Sequence, residues 1–183
     1  GFSLIITLDC GIKANEKVEY ARERGIDMII CDHHLPENEL PKAVAVLDPK
    51  REDCNYPFDD LSGCGVGFKF MQAFAKDNGI EFSQLTPLLD LVAVSVASDI
   101  VPIMGENRIL TYYGLRQINS NPSVGLKAII DVCGLSDKEI TMGDIIFKIG
   151  PRINPSGRIQ NGKEAVDLLT ERDFKAAIEK SNQ

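Results

Sequence analysis

The first hundred residues alternate short apolar runs with segments of helical periodicity, and the remainder is almost wholly helical in pattern. Leu4–Leu8 is an apolar run with β-branched Ile and Thr that stops at the turn signal Asp9-Cys10-Gly11, so it is expected to be a strand. Residues 15–24 form a polar helical segment with Val18, Tyr20 and Ala21 as its apolar positions, closed by Gly25. Further strands are expected over 28–31, ending at Asp32, and over 43–47, ending at Asp48-Pro49. A polar loop follows to Ser62, and Gly63-Cys64-Gly65-Val66-Gly67 opens a helix running to about 78. Residues 85–97 are apolar enough to be a core helix, closed by Asp99-Ile100-Val101-Pro102. Helices are then expected over 107–119, 123–133, 141–150 and 163–169, with a last helical pattern over 173–183.

Continuously apolar short strands separated by helices imply parallel pairing, with cover on both faces. The expected class is therefore α/β: a parallel sheet with helices on both faces over 1–104, then a helical extension over 105–183. In such sheets ligands sit beyond the carboxyl ends of the strands, where Asp9 and Asp32-His33-His34 both fall.

Composition narrows the setting. The 183 residues are 44% hydrophobic and 26% charged, and no apolar run approaches the roughly 20 residues of a membrane span. The five cysteines are odd in number and show no C-x-x-C spacing, which argues against a disulfide framework or zinc knuckle and for a reducing cytoplasm. Cys10 and Cys31 adjoin the acidic strand ends but are expected to be buried bystanders, because neighbours in a strand face opposite ways. The net charge of −7 does not suggest a nucleic-acid binder, although a local basic stripe can act independently of the global sum.

The chain's two histidines lie side by side at one strand end, next to Asp32. Carboxylates and imidazoles together form an oxygen and nitrogen ligand set suited to Mn²⁺ or another divalent first-row ion. The bland alternative is a polar loop with a capping Asp and two solvated histidines. Asp99 is a third metal candidate: a carboxylate at a helix C-terminus opposes the helix dipole, and a nearby cation would relieve that conflict. Asp90 lies within the apolar helix and reads as a packing acid. Between Ile145 and Lys163 there are four cations and no acid, so Arg152 and Arg158 could present planar forks to phosphate. The glycines at 63, 65 and 67 lack nucleotide-loop spacing and are read as close helix packing.

These motifs together resemble the DHH phosphoesterases. The resemblance rests on Ile6-Thr7-Leu8-Asp9-Cys10-Gly11, on Cys31-Asp32-His33-His34 and on Asp90 through Pro102. Gly150-Pro151-Arg152-Ile153-Asn154, the glycine segment from Leu61 to Lys69 and Glu106-Asn107-Arg108 resemble the RecJ branch of that family, the single-strand-specific 5′→3′ DNA exonucleases of repair and recombination. The resemblance implies two ions, Mn²⁺ or Mg²⁺, and in-line hydrolysis of a phosphodiester. It implies that Asp9 bridges the ions, that His33 and Asp99 bind one of them, that His34 contacts the scissile phosphate and that Asp32 orients both histidines. Arg152, Asn154, Arg158 and Arg108 would hold the DNA backbone. Single-stranded DNA is the implied substrate, with a single-strand-binding protein and a helicase as implied partners and no membrane.

The resemblance also implies an upstream Asp-rich motif and a C-terminal DNA-gripping domain beyond these 183 residues. The chain is thus expected to be a fragment that is inactive, or nearly so, on its own and binds Mn²⁺ weakly. Two other readings stay open: a phosphodiesterase of short oligonucleotides or cyclic dinucleotides, and a non-catalytic scaffold that keeps the fold.

Overall fold

A computed structural model describes residues 1–153 and 162–182. Strands β1 (Leu4–Leu8), β2 (Asp27–Cys31) and β3 (Ala45–Leu47) form a parallel sheet in the order β1-β2-β3. Leu4 pairs with Asp27 through to Leu8 with Cys31, and Cys31 pairs in turn with Leu47. This register brings all three strands to one carboxyl edge.

Helix α1 (Asn15–Arg22) crosses from β1 to β2, and α2 (Gly63–Asp77) follows the loop after β3. Met28 and Ile30 of β2 pack with Val18 and Ala21 of α1. The alternate residues Ile29 and Cys31 pack with Val66 and Phe68 of α2. Because successive strand residues face opposite ways, the two helices cover opposite faces of the sheet, as expected. Strand β1 departs from the expectation of full cover. Leu4, Ile6 and Leu8 are each 45–55% exposed, because β1 is an edge strand paired with β2 alone among the described residues.

The core helix is shorter than its pattern. Pro87 has no N–H to donate, and a short 3₁₀ turn (Thr86–Leu88) precedes α3 (Leu89–Ser98). Helix α3 is the spine of the molecule. Leu89, Val92 and Val96 join the core beneath the sheet layer, while Ala93, Val94 and Ala97 join the helical core beyond it. Helix α4 (Gly105–Ser120) lies along α3 so closely that a Cβ on Gly114 would stand 2.3 Å from the Leu89 carbonyl oxygen. Then come α5 (Val124–Val132), α6 (Met142–Asp144), a π turn (Ile145–Ile149), α7 (Gly150–Ile153), α8 (Gly162–Leu169) and α9 (Phe174–Ser181). The π turn interrupts the single helix expected over 141–150, just before Pro151, whose ring cannot continue the regular ladder. Asp90 is fully buried and accepts hydrogen bonds from the N–H groups of Leu91 and Ser123, tying the start of α3 to that of α5.

Candidate metal centre

Asp9 is the first residue past β1, and its N–H still donates to the Cys31 carbonyl at 2.9 Å. Its φ of +62° lies in the left-handed region, which Asp tolerates better than most residues but still at a cost of roughly 1–2 kcal/mol. That turn ends the strand alternation. The Asp9 carboxylate lies 3.1 Å from Nε2 of His33. Ligand-capable atoms of Asp9, His33 and His34 all lie within 4.8 Å of one another.

Hydrogen bonds set the histidine tautomers. The Leu61 carbonyl can only accept, so the His33 Nδ1 contact at 3.0 Å makes Nδ1 the donor. Nε2 is then the His33 nitrogen aimed at the Asp9 oxygen, and it offers a lone pair there whenever it carries no proton. Two acceptors at 3.1 Å need a proton or a metal ion between them. His34 Nδ1 donates to Asp32 at 2.7 Å, so Nε2 is the His34 nitrogen left free to bind a ligand. Asp32 is 1% exposed. Burial pushes its carboxyl up, but hydrogen bonds from the Ile12 N–H, the His34 ring and the N–H groups of His33 and His34 outweigh it and hold it below the usual range. Asp32 stays an anion that orients the ring of His34, an arrangement typical of metal-ligating histidines. It reaches His33 only through the backbone N–H, and the expectation that it orients both rings holds for His34 alone.

Asp99 caps α3 and accepts from Ser95 Oγ at 3.1 Å and from the Gly63 N–H at 3.2 Å. It stands outside the 4.8 Å group but acts on it through charge. Partial burial, and then the Asp99 charge, raise the Asp9 carboxyl above its ordinary value, and the two histidines only partly offset this. Gly63 lies between the two acids. A Cβ there would fall 2.0 Å from the Asp9 Oδ1, so only glycine leaves room for that carboxylate. Cys64 is pushed up to about 11, by burial first and then by Asp99 and Asp9, and burial alone takes Cys31 to about 11. Both remain thiols, which are poor ligands. A mixed set of carboxylate oxygens and imidazole nitrogens, with its lone pairs converging and its thiols neutral, fits a divalent ion such as Mn²⁺.

The model of the DHH family, N-terminal domain, matches residues 3–96, which include Asp9 and Asp32-His33-His34. The chain belongs to the DHH family. It is 40% identical over 179 residues to the single-stranded-DNA-specific exonuclease RecJ of Escherichia coli, covering 92% of this chain and 31% of that protein. RecJ of Bacillus subtilis is also 40% identical, over 94% of this chain and 21% of its own length. The chain thus spans no more than a third of these relatives. The crystal structure of Thermus thermophilus RecJ in complex with Mn²⁺ superposes with a TM-score of 0.84 at 28% identity, covering 98% of this chain and 26% of that one.

Within this DHH domain the expected site residues divide by position. Asp9, Asp32, His33 and His34 meet at the sheet edge, with Asp99 behind Gly63. The ring of His34, expected at the phosphate, shares the ligand cluster with His33. Arg108 is exposed on the first turn of α4. Arg152 is also exposed and donates to the Ser181 carbonyl at the end of α9. Asn154 and Arg158 lie outside the described residues. Cys10 is exposed rather than buried, because the left-handed turn at Asp9 takes it out of the strand. The sequence reading missed the Leu61 carbonyl, Ser95, the Ile12 N–H and the cradle at Gly63. The only sequence signal among them was a glycine just after the helix cap Ser62.

Proposed function

We propose that this chain forms part of the catalytic core of a metal-dependent exonuclease that hydrolyses single-stranded DNA from its 5′ end, in repair and recombination in the cytoplasm. The observation that carries the proposal is the convergence of His33 Nε2 and Asp9 Oδ1, two ligand-capable atoms 3.1 Å apart, beside a glycine that keeps the space open. The names of the similar proteins, and the Mn²⁺ complex formed by the Thermus relative, point to the same chemistry. Residues 1–104 hold the proposed metal ligands, and 105–183 form the helical extension.

Asp9 would bridge two ions and His33 and Asp99 would hold one of them, with Mn²⁺ or Mg²⁺ serving. Bound divalent ions in such a site activate water and stabilise the attacking and leaving oxygens of a phosphodiester. Asp32 fixes the His34 imidazole and the Leu61 carbonyl that of His33, and His34 would face the phosphate from the same cluster. Arg108, Arg152, Asn154 and Arg158 are proposed contacts to the strand, Arg152 after release from Ser181. A single-strand-binding protein and a helicase are proposed partners.

The test is nucleotide release by the whole protein from strands labelled at either end. Mn²⁺-dependent release of the 5′ label first, lost in Asp9→Asn and in His34→Ala and absent on blunt duplex, is expected. Release from the 3′ end first, faster turnover of a dinucleotide than of a long strand, or full activity in Asp9→Asn would refute it.

A further inference from the structure

Helix α4 has two different faces. Asn107, Leu110, Thr111, Gly114 and Ile118 are buried. The opposite face carries Arg108, Tyr112 and Arg116 at intervals of four residues, which places them in one row. Tyr112 and the adjacent Tyr113 are 56% and 53% exposed. Their rings meet edge to face at 5.1 Å and 83°, and an Arg116 nitrogen lies 3.4 Å from the Tyr112 hydroxyl. The row is thus ordered without being packed into a core.

Its charge runs against that of the molecule. From residue 107 to 130 there are two arginines, one lysine and no acid, in a chain of net charge −7. Glu106, the nearest acid on the helix, is turned toward Tyr56 and Lys69.

Its position is tied to the metal centre. The Asn107 amide donates to the carbonyls of Asp60 and Pro102, so the start of α4 is fastened to the loop whose Leu61 carbonyl orients His33. Gly114 meets Leu89 and Ala93 at the far end of α3 from Asp99. The row therefore begins near the centre and leads away from it. Eight helical residues span about 12 Å, or roughly three to four nucleotides at about 3.4 Å per stacked step.

We propose that this face of α4 is a single-strand track, on which Tyr112 stacks with a base while Arg108 and Arg116 pair with flanking phosphates. The proposal rests on the exonuclease reading above and adds Tyr112 and Arg116 to it. Aromatic rings between cations are the sequence-tolerant way to hold single strands, since every base has a flat face. Arginine forks match phosphate oxygens.

The test is anisotropy of a fluorescent oligo-dT with the 183-residue chain, joined to photocrosslinking by 4-thiothymidine. Tyr112→Ala is expected to weaken binding on the order of 5- to 100-fold. Arg108→Gln with Arg116→Gln is expected to flatten the slope of log affinity against log salt by about 1.4, at about 0.7 per phosphate. The crosslink is expected on α4. Tyr20→Ala is the control, because that ring is as exposed as Tyr112 but lies on α1, outside the row. All these side chains are exposed, so thermal unfolding is expected to be unchanged. A chain that binds no oligo-dT, binds it equally well in the three variants, or crosslinks elsewhere overturns the track and leaves the exonuclease reading standing. Failure of the unsubstituted whole protein to cut single strands overturns that reading.

Discussion

Substituting Gly63 by alanine isolates the metal centre from the fold. A Cβ at Gly63 would stand 2.0, 2.3 and 2.5 Å from Oδ1, Cγ and Cβ of Asp9. Asp9 cannot retreat freely, because its N–H is held by Cys31 and its backbone already occupies the left-handed region. Because Asp9 Cβ is itself in the clash, rotating the carboxylate does not clear it. Either the turn at Asp9 or the start of α2 must shift, displacing the carboxylate from its place beside His33. Overpacking of this kind costs about 1–3 kcal/mol, and replacing glycine in a helix returns up to about 1 kcal/mol. The net loss is about 0–3 kcal/mol, or roughly 0–12 °C in Tm for a domain of this size. Metal affinity is expected to fall by at least about 10- to 100-fold, the range seen when even the groups supporting a ligand are disturbed. Gly67→Ala is the matched comparison. Its Cβ would meet only the end of the Leu8 side chain, at 2.8 Å, and Leu8 is exposed enough to turn aside. Mn²⁺ titration and calorimetry of the whole protein in both variants provide the assay. Gly63→Ala that binds Mn²⁺ like the unsubstituted protein, or Gly67→Ala that loses as much affinity, refutes the reasoning.

Other perturbations test separate links. Asp9→Asn should raise the Tm of the metal-free chain at neutral pH while abolishing metal binding. The folded Asp9 carboxyl is raised above its ordinary 3.8, so the folded state holds that proton more tightly and Asp9 loses stability as pH rises through the window above 3.8. The gain should shrink to nothing as pH falls below that value; a gain independent of pH would contradict the sign. Asp32→Ala strands the N–H groups of Ile12 and His33 in a buried site, at about 1–3 kcal/mol for each unsatisfied group. Urea unfolding that shifts by less than about 1 kcal/mol would count against its anchoring role. Gly114→Ala drives a Cβ into the Leu89 backbone oxygen and should cost about 1–3 kcal/mol or more by separating α3 from α4. An unchanged unfolding midpoint would show that the two helices are not in such close contact.

The sheet and its acidic edge were legible because both depend on local signals. Apolar runs that stop at Asp9 and Asp32 mark strand ends, and the parallel register then brings those ends together. What depends on distant partners was not legible. The tautomer of His33 is set by a carbonyl 28 residues away, and Asp99 is placed by Ser95 and the Gly63 N–H. Gly63 read as a packing residue because nothing local shows that the carboxylate of Asp9 lies above it. The exposure of Cys10 follows from a positive φ at Asp9, which residue type permits but does not announce. Arg152 reads as a phosphate ligand from its cationic neighbours, and its hydrogen bond to the Ser181 carbonyl, which arrives with α9 from 29 residues away, has no local signal.

The central claim is that His33 and Asp9 converge on a metal ion rather than only on each other. Pulsed electron paramagnetic resonance of the whole protein with Mn²⁺ tests it most directly, because a directly bound imidazole nitrogen leaves a ¹⁴N coupling in the echo modulation. The account predicts that this coupling is present, is diminished in His33→Ala and is unchanged in Arg108→Gln. Bound Mn²⁺ with no ¹⁴N coupling, or a coupling unaffected by His33→Ala, would contradict it.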